Sequence, residues 1–537
     1  MISGVWRVSS GLLAGLLLLP LATVFLQSFF MTSDQPMTYW QTGLPVSLLH
    51  SAVTVTGTVL ISLIIGLPAA WLMAMYRFPG QRMLRWGLCL PLAMPAFLLA
   101  YLYADVLTFI SPFVDPIVKP WRDSSFWPPE LMVSLSGACI VLAFVLYPYI
   151  YLLVHHALVR QPASLINAAR LLKHSRSQVI WRLCLPIARP AIVTGAILVA
   201  VEALGDYGTA SYLAISTLMT SVLDIGQQGD LITAARIAVV MLPIIFLLVF
   251  LASIWRRKQQ VYQAYFQSAP MTVPLLTGWR SGLAQCYCWT LVSLTFIFPL
   301  LYLIFEAAVN VMPSLDMAFL HAMGNSLLTS VLATLLITLM SLLFIFYTRT
   351  AGAFANPLPV KLVNLSYAIP GAILGIGLFI PLSLIDRYIG LFATNHGFTA
   401  PEIVLSTSLF ILVLAYCVKF GRLMLDGLEH HMAKIPVSLD QATLLLKCSV
   451  GQRWTRVHIP LLRHSLLFGA LLIFTEGMKE LNASLLLRPF HLETLATHVF
   501  RLVSEDQMAS LALPALILVV IGIAPIVGLS RILNIKG

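Results

Sequence analysis

Charged side chains are scarce in this sequence. Only 10% of the 537 residues are Asp, Glu, Lys or Arg, whereas 59% are hydrophobic and the mean hydropathy is +0.91. A soluble domain usually carries about 25% charged residues. The composition therefore excludes an ordinary soluble protein and indicates a chain that is embedded in a membrane.

The sequence also has few cysteines and lacks a common nucleotide-binding motif. The seven cysteines are odd in number and lie in apolar runs or basic loops, so we expect reduced thiols and no disulfide framework. Cys286 and Cys288 have no second pair nearby, which argues against a metal site there. No G-x-x-x-x-G-K-[ST] phosphate-binding loop occurs. We therefore expect that this chain is not an enzyme, does not hydrolyse ATP and holds no cofactor of its own.

Acidic residues are fewer than basic ones, at 21 against 32, which gives a net charge of +11. Twelve segments have the roughly 20 apolar residues that a transmembrane helix needs. With the amino terminus in the cytosol, most basic residues fall in cytosolic segments, as the positive-inside rule requires. Topology with both termini cytosolic thus explains the charge, and no nucleic-acid partner is needed. The predicted helices are 10–30, 49–75, 87–111, 131–154, 188–213, 234–255, 284–311, 323–347, 360–385, 402–419, 462–486 and 509–530.

The sequence contains an internal repeat with an offset of 274 residues, clearest where 167–186 matches 441–460. The repeat predicts an all-α polytopic membrane protein of about twelve helices in two parallel six-helix halves. We place the first half at 1–257, a cytosolic linker at 258–281 and the second half at 282–537. Matching pairs are Ala168 and Ala442, Leu172 and Leu446, Lys173 and Lys447, Arg182 and Arg456, and Pro186 and Pro460.

Four acidic residues within predicted helices are candidates for a transport pathway, which in duplicated transporters lies between the halves. Glu202 and Asp206 are four residues apart in the fifth helix, and Glu476 and Glu480 take the matching positions in the eleventh. Residues at this spacing share a helix face, so we expect a ring of carboxylates near the periplasmic end. Hard oxygen ligands suit a hard cation such as Fe3+, bound transiently. The alternatives are a structural pairing of these acids with Lys479 and a duplicated scaffold with no pathway.

The two matched loops resemble the signature loop of binding-protein-dependent ABC importer permeases. That motif reads Glu-Ala-Ala, then Gly four positions after the second Ala, then Pro near the end. Glycine there allows a positive φ, so a lysine is expected to be strained if the geometry is kept. The stretches 202–212 and 476–496 are similar to fused two-half permeases of ferric-iron uptake, within a group that also includes thiamine and polyamine permeases. The replacements in this chain are Asn167 and Gln441 for Glu, Thr443 for the second Ala, and Lys173 and Lys447 for Gly.

The resemblance implies a type I ABC importer permease in the bacterial inner membrane. A periplasmic binding protein would capture the substrate, two copies of a cytosolic ATPase would bind ATP and Mg, and this chain would translocate the substrate by alternating access. Each matched loop would contact one ATPase. The coupling residues carried over by the resemblance are Asn167, Ala168, Ala169, Lys173, Pro186, Gln441, Ala442, Lys447 and Pro460.

The resemblance favours ferric iron as the substrate. Thiamine and polyamines are alternatives of the same class, because all three are cationic and the acids do not separate them. A secondary transporter driven by an ion gradient is the alternative from a different class.

Overall fold

The structure is a computed structural model that describes residues 15, 18–29, 39–122, 130–159, 161, 176–264, 274–311, 315–351, 369–396, 405–406, 408–489 and 492–534. Within these residues the secondary structure is helical apart from one isolated bridge, between Arg77 and Leu275. The principal helices are α1 (Leu18–Phe29), α2 (Leu44–Met75), α3 (Gln81–Gly87), α4 (Ala96–Arg122), α5 (Glu130–Val159), α6 (Leu185–Leu204), α7 (Gly208–Tyr212), α8 (Leu218–Gln227), α9 (Leu231–Ala264), α10 (Trp279–Val292), α11 (Phe298–Val309), α12 (Met317–Ala351), α13 (Gly371–Asn395), α14 (Leu409–Met432), α15 (Val437–Leu445), α16 (Ile459–Lys479), α17 (Asn482–Leu487), α18 (Leu495–Ser504) and α19 (Met508–Asn534).

The predicted all-helical membrane fold is confirmed, but the number of twelve spans is not. In the described part of the chain nine helices are long and apolar enough to cross a membrane, and a bent pair makes a tenth candidate. The prediction at 10–30 is met only by the short helix α1. The prediction at 402–419 corresponds to α14, which is absent from these nine and carries Lys419, Arg422, Asp426 and Glu429 along its length.

Three of the predicted continuous spans are broken. The span predicted at 87–111 bends by 94° between Gln81–Ala93 and Ala96–Pro112. Met94 is extended at this bend because the following Pro95 disfavours a helical residue before it. The spans predicted at 188–213 and 462–486 end early, at Leu204 and Lys479, and each is followed by a short separate helix.

The repeat predicted from the sequence recurs in the local structure of both halves. The side chain of Thr217 caps α8 in a reciprocal contact with Thr220, and Thr494 and Thr497 make the same capping box at α18. The offset between these boxes is 277 residues, so the second half has three extra residues between its broken helix and this cap. The next contact is also repeated: the amide of Leu218 donates to Ser51 Oγ, and that of Leu495 donates to Ser326 Oγ.

Each half places its first helix against the other half. Thr23 in α1 donates its hydroxyl to the carbonyl of Gly377 in α13. Tyr287 in α10 donates to the carbonyl of Ile65 in α2 at 2.7 Å. The segment before α10 also pairs with the first half, since the amide of Arg77 donates to the Pro274 carbonyl at 3.0 Å. The halves are therefore interlocked, while the boundaries proposed at 257 and 281 stay predictions.

Candidate functional site

The four acids predicted for a pathway line one cavity between the halves, together with Lys479, which neighbours two of them in the sequence. The first half contributes Glu202 and Asp206, and the second half contributes Glu476, Lys479 and Glu480. The cavity has a volume of about 480 Å³ and is otherwise walled mainly by apolar side chains of α4, α5, α14 and α19. The repeat therefore predicted correctly that the acids lie together at the interface of the two halves.

The arrangement of the acids differs from the prediction, because two of them lie beyond the helix ends. Helix α6 stops at Leu204, and Asp206 follows it. The Asp206 carboxylate accepts hydrogen bonds from the amides of Thr209 at 3.0 Å and Ala210 at 3.3 Å, and so caps α7. A carboxylate satisfies the free N–H groups at a helix start, which favours a break here over a continued helix. The expectation that Glu202 and Asp206 share one helix face is therefore wrong.

Glu480 repeats this local structure in the second half. It follows the last residue of α16 and accepts a hydrogen bond from the amide of Ala483 at 3.1 Å, at the start of α17. Its other carboxylate oxygen pairs with Lys419 of α14. The expectation that Glu476 and Glu480 share a helix face is wrong for the same reason as in the first half.

Two lysines balance the acids of the second half. Lys419 pairs with Glu480, and Lys479 Nζ lies 3.1 Å from Glu476 Oε1. The ammonium of Lys479 also donates across the interface to the carbonyl of Leu92 at 3.4 Å. Lys419 is the last residue of the helix predicted at 402–419, and its place in the cavity was not predicted. Its position at the end of an apolar run was the only signal, and a loop boundary explained that signal equally well.

The first half has no lysine at the matching positions. With the offset of 274, Lys419 corresponds to Val145 and Lys479 to Gly205. Val145 and Gly205 line the same cavity. Among the described residues no hydrogen bond or ion pair to the Glu202 carboxylate is found. We call the cavity-lining residues of each half its wall. If all these groups are ionised, the second-half wall is neutral in sum, and Glu202 and Asp206 give the first-half wall two negative charges without a matching lysine.

The break after α6 and the break after α16 contact each other at the cavity. Asn482 Nδ2 donates to the carbonyl of Gly205 at 2.9 Å, so the break of one half binds the break of the other. A Cβ atom at Gly208 would lie 2.9 Å from Phe97 and 3.1 Å from Leu481, which only glycine avoids. The absence of a side chain at position 208 therefore permits this close approach of the halves.

The predicted coupling loop of the second half is described in full, and that of the first half only from residue 176 onward. Asn167, Ala168, Ala169 and Lys173 lie outside the described residues. Pro186 and Pro460 take positions in the first turn of α6 and α16, as expected for proline that opens a helix.

In the second loop α15 presents an exposed face. Gln441 and Ala442 are exposed on it, whereas Thr443 is buried. Leu445 and Leu446 are 84% and 76% exposed, and they lie outside the helices that could span a membrane. Aliphatic side chains exposed to water mark a protein contact surface. The sequence predicted no contact role for either leucine, because a leucine pair in a helical segment is equally typical of a buried core.

Lys447 adopts the left-handed conformation, with φ of 53°. The sequence predicted strain here, because the resembling motif has glycine at this position. The prediction is confirmed for the second loop: the backbone keeps the geometry that glycine would favour and accepts a lysine at a cost of about 1 kcal/mol.

A second ionic network braces the segment between α17 and α18. Glu493 contacts Arg488 and Arg501 at 3.0 Å and His498 at 2.9 Å. Burial alone would raise the pKa of the Glu493 carboxyl, but hydrogen bonds from His498, Arg501 and Arg488 lower it from 4.5 to about 2. The network fixes the loop that follows the broken helix of the second half.

Comparison with known proteins gives a family match for part of the chain and similarity to a permease over most of it. Residues 62–261 match the model of the binding-protein-dependent transport system inner membrane component. The chain is 25% identical over 472 residues to the Fe(3+)-transport system permease protein FbpB 2 of Haemophilus influenzae, which covers 86% of this chain and 85% of that protein.

Sulfate permeases are similar to about half of the chain. The probable sulfate transport system permease protein of Chlorokybus atmophyticus is 27% identical over 270 residues, or 48% of this chain and 90% of that protein. The sulfate transport system permease protein CysT of Escherichia coli is 27% identical over 245 residues, or 44% of this chain and 85% of that protein. Residues 62–261 therefore match the inner membrane component of binding-protein-dependent transport systems, and the chain with its apolar helices is similar over most of its length to a permease of this kind.

Proposed function

We propose that this chain is the permease of a ferric-iron importer. The cation passes between the halves through the cavity lined by Glu202, Asp206, Glu476 and Glu480. The observation that carries the proposal is the charge of this cavity, in which, among the described lining residues, four carboxylates are accompanied by two basic side chains, Lys419 and Lys479. Hard carboxylate oxygens suit a hard cation.

The charge also separates iron from sulfate, the substrate class in the names of several relatives. Two like charges at 4 Å interact by about 4 kcal/mol at an effective dielectric constant of 20. A sulfate dianion in this cavity would meet the unbalanced carboxylates of the first half, whereas a cation would be attracted by them. The similarity to FbpB 2 over most of both chains supports the same assignment.

We assign the partners on the same basis. A periplasmic binding protein delivers the iron, and two copies of a cytosolic ATPase, which carry ATP and Mg, contact the loops at 167–186 and 441–460. The exposed face formed by Ala442, Leu445 and Leu446 supports this contact in the second half. Both termini lie in the cytosol in this scheme. The match of residues 62–261 to a binding-protein-dependent transport component disfavours the ion-gradient-driven alternative.

The direct test is transport by the purified permease together with its proposed partners, an ATPase and a periplasmic binding protein from the same organism. In vesicles that contain all three proteins we expect ATP-dependent uptake of ferric iron and none of sulfate. Thiamine and a polyamine such as spermidine are assayed in the same vesicles. Uptake of either organic cation without iron uptake would replace the substrate assignment, and sulfate uptake would overturn the argument from charge.

A further inference from the structure

The cytosolic end of the second half contains an ionic contact that joins three segments. Asp440 Oδ2 accepts a hydrogen bond from Arg349 Nε at 2.7 Å, and Asp440 Oδ1 lies 2.8 Å from His458 Nε2. Arg349 Nη2 also donates to the carbonyl of Ile435 at 2.9 Å. Asp440 lies in the first turn of α15 and Arg349 in the last turn of α12. One carboxylate therefore binds the exposed helix α15 to two membrane helices, since His458 immediately precedes α16.

Aromatic packing encloses this contact. The ring of Trp454 lies between Phe346, at a centroid distance of 4.9 Å, and His458, at 4.8 Å. His458 is fully buried, and within the described residues its Nδ1 has no hydrogen-bond partner. A neutral imidazole that donates from Nε2 to Asp440 leaves no N–H unsatisfied at Nδ1, so we assign this tautomer. The contact is thus held by packing as well as by charge.

We propose that Asp440, Arg349 and His458 form a coupling clamp that makes α15 and α16 move as one rigid body. The inference rests on the proposed contact between α15 and an ATPase. Helix α16 begins next to His458 and ends at Lys479, beside Glu480 in the cavity. A displacement of α15 is therefore carried along a single helix to the acids of the second half. A charge-assisted contact that is shielded from water resists such a displacement better than an exposed one.

The first half lacks this clamp. With the offset of 274, Asp440 corresponds to Ile166 and His458 to Cys184, and neither side chain can form the ion pair. Ile166 lies outside the described residues. The carbonyl of Cys184 instead accepts a hydrogen bond from Gln161 Nε2 at 2.9 Å, which is a neutral contact. We therefore expect the clamp to serve the second loop specifically.

The first test measures iron transported per ATP hydrolysed in vesicles that contain the complete importer. Asp440→Asn should keep the ATPase bound and hydrolysing while this ratio falls about fivefold or more. Arg349→Lys, which keeps the charge but loses the planar two-nitrogen geometry, should fall between Asp440→Asn and the unchanged protein. Cys184→Ser, at the matching buried position of the first half, is the control and should leave the ratio unchanged. An unchanged ratio in Asp440→Asn would overturn the clamp.

A second measurement does not depend on the clamp variants folding. Spin labels are attached at positions 437 in α15 and 467 in α16, which are 61% and 71% exposed and lie outside the proposed ATPase contact, in a background without native cysteines. The distance between them should be the same with and without ATP bound to the importer. A change of several ångströms would show that α15 and α16 move separately and would overturn the clamp. The variant Leu446→Asp separates the two proposals: if it retains as much ATPase as the unchanged permease, the contact with α15 is wrong, whatever the label distance.

Discussion

The two halves of this permease share one fold but carry their charges differently. In the cavity the acids recur in both halves, whereas Lys419 and Lys479 of the second half correspond to Val145 and Gly205 of the first. Charge pairs inside a membrane protein neutralise each other, and an unpaired carboxylate remains available to a ligand. The difference teaches that duplication supplied two similar walls, of which only the first has no lysine to balance its acids.

At both ends of the second half, charged or titratable residues also stand where the first half has uncharged ones. At the end that carries the loop 441–460, Asp440 and His458 stand where the first half has Ile166 and Cys184. On the other side of the cavity the network around Glu493 lies where the first half has Ser216, with the offset of the capping boxes. Buried ion pairs fix relative positions even where they add little stability. The second half therefore has charged contacts between its helices at positions where the first half has uncharged residues.

The largest expected effect comes from the exposed face of the second loop. Leu446→Asp should release much of the bound ATPase and lower transport sharply, because an aspartate cannot enter an apolar contact without losing its hydration. Co-purification of the ATPase with the permease measures this. Ser449→Asp adds the same charge at another exposed position of the loop and should keep the ATPase bound. The matching first-half change, Leu172→Asp, should weaken binding, and only both loops together should abolish it completely.

The next largest effect is expected on iron uptake, when acids of the first-half wall and of the second-half wall are replaced in turn. Glu202→Gln should lower iron uptake about tenfold or more, because it removes an unbalanced charge while it keeps the shape of the side chain. The double change Glu476→Gln with Lys479→Met removes a balanced pair and should leave uptake within about threefold. Equal losses in both variants would replace the asymmetric account with a symmetric ring of acids. Normal uptake by a well-assembled Glu202→Gln protein would exclude a pathway role for this acid.

A smaller effect concerns the network at Glu493, whose pKa is lower in the folded protein than in the unfolded chain. Such a carboxylate stabilises the fold fully above pH 4.5, and the contribution is lost as the pH falls towards 2. We expect about 2 kcal/mol in the free energy of unfolding, after allowance for partial exposure. Glu493→Gln should remove this part of the pH dependence in detergent unfolding curves. An identical pH profile in the variant would show that the network contributes nothing.

The smallest effect is at the strained loop residue. Lys447→Gly should stabilise the end of α15 by about 1 kcal/mol, because glycine adopts the observed φ of 53° without steric cost. The thermal unfolding temperature of the purified permease measures this. Lys447→Ala removes the same charge but keeps the Cβ atom, so it should show no gain. A gain of the same size in both variants would assign the effect to charge and not to the backbone.

Hydropathy and the repeat were enough to predict the helical membrane fold, its two halves and the meeting of the four acids. They could not predict the breaks after Leu204 and Lys479, because a capping carboxylate competes locally with an apolar pattern that continues through it. The partners of Asp440 were also beyond the sequence, since Arg349 lies 91 residues away. Contacts of this kind depend on how helices pack and not on spacing along the chain.

The most direct test introduces into the first half a lysine at the position that matches Lys419 of the second half. Val145→Lys places an ammonium beside Glu202 and Asp206, at the position that matches Lys419. Val145→Met fills the same space without charge and is the control. In vesicles with the complete importer, the account predicts that iron uptake by the lysine variant is at least about tenfold below that of the methionine variant, with equal amounts of ATPase bound. Equal iron uptake by the two variants would contradict the claim that the first-half wall holds the cation.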